Sequence, residues 1–176
     1  MGLGVVCCDA GAANQLLAFL KSQCTDDIVG YFSGPAKQIY PEFIPNVRVV
    51  NRIEDVVTSC DELISGTGWS SDIEHNARIL ASEAGVFSTA VLDHWVNYLD
   101  RFKRLDRIQL PDKIMVFDEI AFNQASLIFS EIDIQLTHPY YKDYILKKIS
   151  KVKQKRGKIL YICEPLRQAS IGIYSL

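Results

Sequence analysis

The chain has 176 residues, 48% of them hydrophobic, with a formal net charge of −2. That is enough for one full hydrophobic core and fits one domain, with room for the beginning of a second. No apolar run approaches the ~18–20 residues of a membrane span. The N-terminus MGLGVVCCDA lacks the basic segment of a signal peptide, so the sequence reads as cytoplasmic.

The near-neutral total hides an asymmetry. Residues 1–146 carry a net charge of −9, while residues 147–158, KKISKVKQKRGK, carry +7. The five cysteines (Cys7, Cys8, Cys24, Cys60 and Cys163) form no CxxC pair. They read as small buried side chains, and no metal site or cofactor is expected.

Short β-branched runs at residues 3–8, 28–32, 47–50, 62–65, 88–92, 113–117, 134–137 and 158–163 read as strands. Helical patterns at residues 14–22, 53–58, 72–84, 119–129 and 140–155 separate most of them. Near-continuous apolar strands alternating with helices predict an α/β fold, doubly wound, with a mostly parallel sheet covered on both faces. The organisation expected is a Rossmann-like domain over 1–146, a basic helix end or linker over 147–158, and over 159–176 the first strand of a second domain.

The helix at 72–84 is the best-determined element. Ile73, Ala77, Leu80, Ala81 and Ala84 mark one apolar face. Ser71 and Glu74 read as a capping box, with Gly85 as the stop. Glu74 and Arg78 read as an outward pair one turn apart, and His75 as an exposed side chain.

In an open parallel sheet, ligands bind beyond the carboxyl ends of the strands. That rule selects the segments after each strand: Asp9 to Asn14 with Gly11, then Ser33-Gly34-Pro35, Gly66-Thr67-Gly68-Trp69-Ser70, Asp93-His94-Trp95, Asp118-Glu119, and His138-Pro139. The Gly66-Thr67-Gly68 turn opens onto a helix and offers small residues and free N–H groups to an anion. It carries neither GxxxxGK[ST] nor GxGxxG, so a plain tight turn is the competing reading. His94 beside Asp93 is the candidate catalytic pair, as general base or anion ligand; a structural histidine is the alternative. Trp95 and Tyr98 can stack on a sugar face. Gly11, Trp69, Asp9, Asp118 and His138 complete the candidate binding set.

The segment SGTGWSSDIEHNARILASEAG followed by STAVLDHWVNY resembles the N-terminal half of GT-B-type enzymes of bacterial surface-polysaccharide assembly, the glycosyltransferases and related sugar-nucleotide 2-epimerases. The resemblance covers most of residues 1–164 and rests on layout rather than an invariant signature. It implies a glycosyltransferase-like, acceptor-side domain for a sugar or phosphosugar. Most of the nucleotide-sugar site of such enzymes belongs to a second domain. Here KILYICEP looks like that domain's first strand and little chain follows, which implies a half-enzyme inactive alone that works with a C-terminal partner domain or chain.

The alternative is a non-catalytic module that binds a nucleotide or anion, or pairs with a subunit. Weak contact of residues 147–158 with an anionic membrane and a homodimer both remain open. Nucleic acid is not expected, because the basic run has no interleaved aromatics and the body of the domain is acidic.

Overall fold

A computed structural model describes residues 2–24, 26–69 and 71–149 of the chain. The expected strand at 158–163, the possible second domain and most of the basic run lie outside these residues.

Seven parallel strands form one sheet: β1 (Leu3–Cys7), β2 (Ile28–Phe32), β3 (Arg48–Val49), β4 (Glu62–Ser65), β5 (Phe87–Val91), β8 (Lys113–Val116) and β9 (Asp133–Leu136). Their spatial order is β3-β2-β1-β4-β5-β8-β9. The two remaining strands, β6 (Lys103–Arg104) and β7 (Arg107–Ile108), make a small antiparallel hairpin in the β5–β8 connection. The chain winds outward from β1 to β3, returns beside β1 as β4, and then winds the other way. The direction therefore reverses between β1 and β4, which is the position where doubly wound sheets open a ligand crevice. The architecture is Rossmann-like, as the alternation of apolar strands and helices predicts.

Successive side chains of a strand point to opposite faces, and the core follows that period. Val5, Cys7, Ile64, Val91 and Met115 pack under α1 (Ala10–Gln23), together with Phe43 of α2 (Ala36–Phe43) and the tyrosines of α6 (Tyr140–Ile149). On the other face Val6, Val29 and Leu63 meet Val56 of α3 (Ile53–Val57) and Ala77 and Ala81 of α4 (Ile73–Ala84). Farther along that face, Ala90, Leu92, Ile114 and Val116 meet Ala121 and Ala125 of α5 (Glu119–Ile128). Leu16 and Leu17 of α1 are fully buried and Leu20 nearly so, each worth roughly 1.5–3 kcal/mol.

Three differences from the sequence reading concern local backbone. The helix α1 begins at Ala10, four residues early, because the Asp9 side chain caps it by accepting the Ala12 N–H at 3.0 Å. Most of the expected loop after β1 is thus the first turn of a helix. The helix α2 was not expected, because Pro41 sits inside it. The hairpin β6–β7 turns through Leu105 at φ 51°, where a glycine or asparagine signal was lacking.

Among the described residues no helix is long and apolar enough to cross a membrane.

Candidate functional site

A cluster of polar side chains lies at the carboxyl ends of β1, β4 and β5. Its floor is set by α4, in a way that overturns three expectations about that helix. Glu74 and Arg78 do not point outward; they are 1% and 0% exposed. The spacing Glu74, Ala77, Arg78, Ala81 is itself a helical stripe, and it faces the sheet. The Glu74 carboxylate accepts the Cys8 N–H at 2.8 Å and the Gly68 N–H at 2.6 Å. One side chain thereby joins the loops after β1 and β4. Ser71 Oγ accepts the Ile73 N–H at 3.2 Å, and since Glu74 turns inward no reciprocal capping box forms. Arg78 donates to the Gly66 carbonyl at 2.7 Å and to Ser65 Oγ at 2.9 Å, and its guanidinium stacks over Phe102 at 5.2 Å. His75 is also buried, at 2% exposure; burial, with Arg78 nearby, lowers its pKa to about 4.

Above this floor stand two carboxylates. One oxygen of Asp9 caps α1, and the other is buried without a hydrogen-bond partner among the described residues. Asp93 pairs through one oxygen with Arg101 at 3.0 Å, with both side chains largely buried. The glycines explain how the groups approach so closely. A methyl at Gly68 would lie 2.5 Å from the free Asp9 oxygen and 3.1 Å from Glu74. A methyl at Gly11 would overlap the second Asp93 oxygen, and one at Gly66 would overlap Glu74. Burial raises the pKa values of Glu74 and Asp93, and the Asp9 charge pushes both further up. Arg101 partly offsets the rise at Asp93.

The walls come from the two flanking loops. Thr67 is fully buried; its hydroxyl donates to the Val91 carbonyl at 2.9 Å and ties the β4 loop to β5. Arg101 also reaches the Thr67 carbonyl at 3.3 Å. Arg104 of the hairpin donates to the Gly68 carbonyl at 2.6 Å and pairs with Asp72 at 2.8 Å. Trp69 is half exposed, with the Arg101 guanidinium 6.0 Å from its ring centre. Trp95 is 55% exposed, and its indole N–H donates to Asp118 at 2.9 Å while the other Asp118 oxygen caps α5.

Of the sequence-selected residues, Asp9, Gly11, Gly66, Thr67, Gly68 and Asp93 lie together at this end of the sheet, with Trp69 beside Arg101. Trp95 and Asp118 are joined at the end of β5 and the start of α5. His94 is exposed; its Nδ1 accepts the Trp95 N–H at 3.0 Å, which leaves the neutral ring's proton on Nε2. Asp93 is turned to Arg101 rather than to His94. Tyr98 does not offer a stacking face: it is 3% exposed and stacked on Phe129 in the core. His138 lies two strands beyond β5, after the edge strand β9, and pairs with Asp143 at 2.7 Å. The expected backbone cradle at Gly66–Gly68 has its Gly68 N–H committed to Glu74. Glu74, Arg78, Arg101 and Arg104, which the sequence reading did not place here, also belong to the cluster. For Glu74 and Arg78 the available signal was the shared stripe with Ala77 and Ala81, masked by their charge.

The fold and this cluster define a Rossmann-like α/β protein with its polar site at the topological switch point. No family model, no curated protein and no solved structure matches the chain. Among the described residues no group of His, Cys, Asp and Glu side chains is arranged to hold a metal ion.

Proposed function

We propose that this chain is a glycosyltransferase-like, acceptor-side sugar-binding domain of the GT-B type, acting in polysaccharide biosynthesis. The observation that carries the reading is the Asp9–Asp93 carboxylate pair at the switch point, with the exposed Trp69 and Trp95 on the adjoining loops. Carboxylates accept hydrogen bonds from sugar hydroxyls, and indoles stack on the apolar face of a pyranose. The same carboxylates repel a phosphate, and the Ala12 and Gly68 N–H groups are used by Asp9 and Glu74. The sugar ring, rather than a phosphate on it, is therefore the part recognised here.

In this reading the Asp93 oxygen that Arg101 does not hold receives an acceptor hydroxyl and takes its proton as a bond to the donor sugar forms. Asp9, whose second oxygen is buried beneath Gly68, stands behind it and its charge helps to raise the Asp93 pKa. His94, with its proton on Nε2, donates at the rim. Donor binding is assigned to a partner domain or chain, without which turnover is not expected.

The two tryptophans of the sequence are both in these loops, so tryptophan fluorescence, excited selectively over the eight tyrosines, reports on them. Fluorescence and thermal shift are to be measured with methyl glycosides, phosphosugars, nucleotide sugars and mononucleotides. Responses that require the sugar support the reading. A response to a mononucleotide alone would replace it with the nucleotide-binding module.

A further inference from the structure

A cleft of about 350 Å³ lies between α4 and the β6–β7 hairpin. The hairpin is moored near both ends of that helix: Arg104 pairs with Asp72 at 2.8 Å and Arg107 with Glu83 at 3.6 Å. The two pairs are unequal. Arg104 has its donors committed to Asp72 and to the carbonyls of Gly68, Ser71 and Lys103. Arg107 and Glu83 are both more than half exposed. An exposed pair of that kind is worth little, so the Arg107 guanidinium is free to turn to another anion.

His75 forms part of the lining. It is 2% exposed, yet neither ring nitrogen has a hydrogen-bond partner among the described residues. Its Nδ1 is sealed from solvent, which leaves Nε2 as the nitrogen that opens on the cleft. A buried donor without an acceptor is costly, so the neutral ring carries its proton on Nε2, within reach of a ligand. Burial is the main reason that the His75 pKa is low; the charges of Arg78, Arg104 and Arg107 lower it further, and Asp72 alone opposes them. The field at the imidazole is therefore positive. Asn76, the next residue, is exposed on the same lining, and its side-chain amide has no partner among the described residues. Ile79 and Leu105 add apolar surface. Leu105 is 94% exposed and held at φ 51°, a costly conformation for a bulky side chain.

We propose that this cleft binds a small organic carboxylate. Its carboxylate takes the Arg107 guanidinium, the His75 Nε2–H and the Asn76 amide, and its apolar body lies against Ile79 and Leu105. A single uncommitted guanidinium, with the Asp72 carboxylate on the same lining, suits one negative charge and disfavours a phosphate dianion. The proposal is independent of the sugar-binding reading, since none of Asp9, Trp69, Asp93 and Trp95 lines this cleft.

Titration of the ¹⁵N-labelled wild-type chain with acetate, hexanoate and 3-phenylpropionate at constant ionic strength tests it, followed in backbone-amide and histidine-ring NMR spectra. Hexanamide serves as the uncharged twin, and inorganic phosphate as the competing anion. Saturable shifts are expected at the His75 ring, at Asn76 and at residues 104–107 with hexanoate or 3-phenylpropionate, and not with hexanamide. Arg107→Gln, at an exposed position the fold tolerates, should weaken the binding at least about tenfold, the worth of one hydrogen bond to a charged group, with its thermal melt kept. No saturable shift with any of the three carboxylates, an equal response to hexanamide or to phosphate, or wild-type affinity in Arg107→Gln would each overturn the proposal.

Discussion

The two loops that flank the cluster are built in opposite ways. The loop after β4 is held from beneath: Glu74 and Arg78 take its backbone groups, Thr67 ties it to β5, and these contacts are buried. The loop after β5 is anchored by the Asp93–Arg101 pair and by Tyr98 in the core, but His94, Trp95, Val96 and Leu99 stand in solvent. Buried polar groups are costly unless paired, so the first loop is a wall with little freedom. The exposed side chains of the second have few partners to lose, which suits a wall that adjusts to a ligand.

The contrast is most sharply broken or confirmed at Arg78. Arg78→Met leaves Glu74 as a buried charge without its neighbour and removes the donors to Gly66 and Ser65. A loss of about 3–5 kcal/mol is expected in chemical denaturation, and a loss below about 1 kcal/mol would remove the basis of the comparison. Next comes Glu74→Gln. Either orientation of the amide turns an NH₂ toward one of two N–H donors, so a loss of about 1–3 kcal/mol is expected. Faster amide exchange at Cys8 or Gly68 should accompany it. Gly11→Ala drives a methyl into the Asp93 carboxylate and should cost about 1–3 kcal/mol, with the Asp93–Arg101 pair broken in a structure of the variant. On the other wall, Trp95→Ala should change stability by about 0.5 kcal/mol or less while abolishing its part of any ligand-induced fluorescence change.

The pH dependence divides along different lines. His75 is kept neutral, with its pKa lowered from 6.5 to about 4. The unfolded chain binds the proton first, so stability contributed above pH 6.5 is lost as the pH falls toward 4. Glu74 and Asp93 have raised values, so the cost of their charged forms is relieved as the pH falls toward the ordinary carboxylate range. A stability profile of His75→Gln should lack the loss between pH 6.5 and 4; retention of the wild-type slope would assign that slope elsewhere.

Much of this architecture was legible in the sequence. The β-branched runs at regular spacing marked every strand of the parallel sheet, and the rule that ligands gather at carboxyl ends selected Asp9, the Gly66–Gly68 turn and Asp93. The failures have physical reasons. Charge on Glu74 and Arg78 was read as solvent-facing, although their spacing placed them on the apolar stripe; backbone groups of two loops supplied the partners that burial requires. Tyr98 followed a polar cluster in sequence, yet its ring fills the space beside Phe129. The Asp93–Arg101 pair spans eight residues of irregular chain, and no periodicity encodes such a contact. Pro41 hid α2, because a proline inside a helix lowers its propensity without forbidding it where packing compensates.

The central claim is that the Asp93 carboxylate, backed by Asp9, receives a hydroxyl of a sugar at the switch point. Saturation-transfer NMR on the wild-type chain with a panel of methyl glycosides, repeated on Asp9→Asn and Asp93→Asn, tests it most directly. The account predicts transfer to ring protons of at least one glycoside, lost in Asp93→Asn and weakened in Asp9→Asn while both variants remain folded. Transfer that survives both substitutions, or no transfer to any glycoside alongside binding of inorganic phosphate at the same loops, would contradict it.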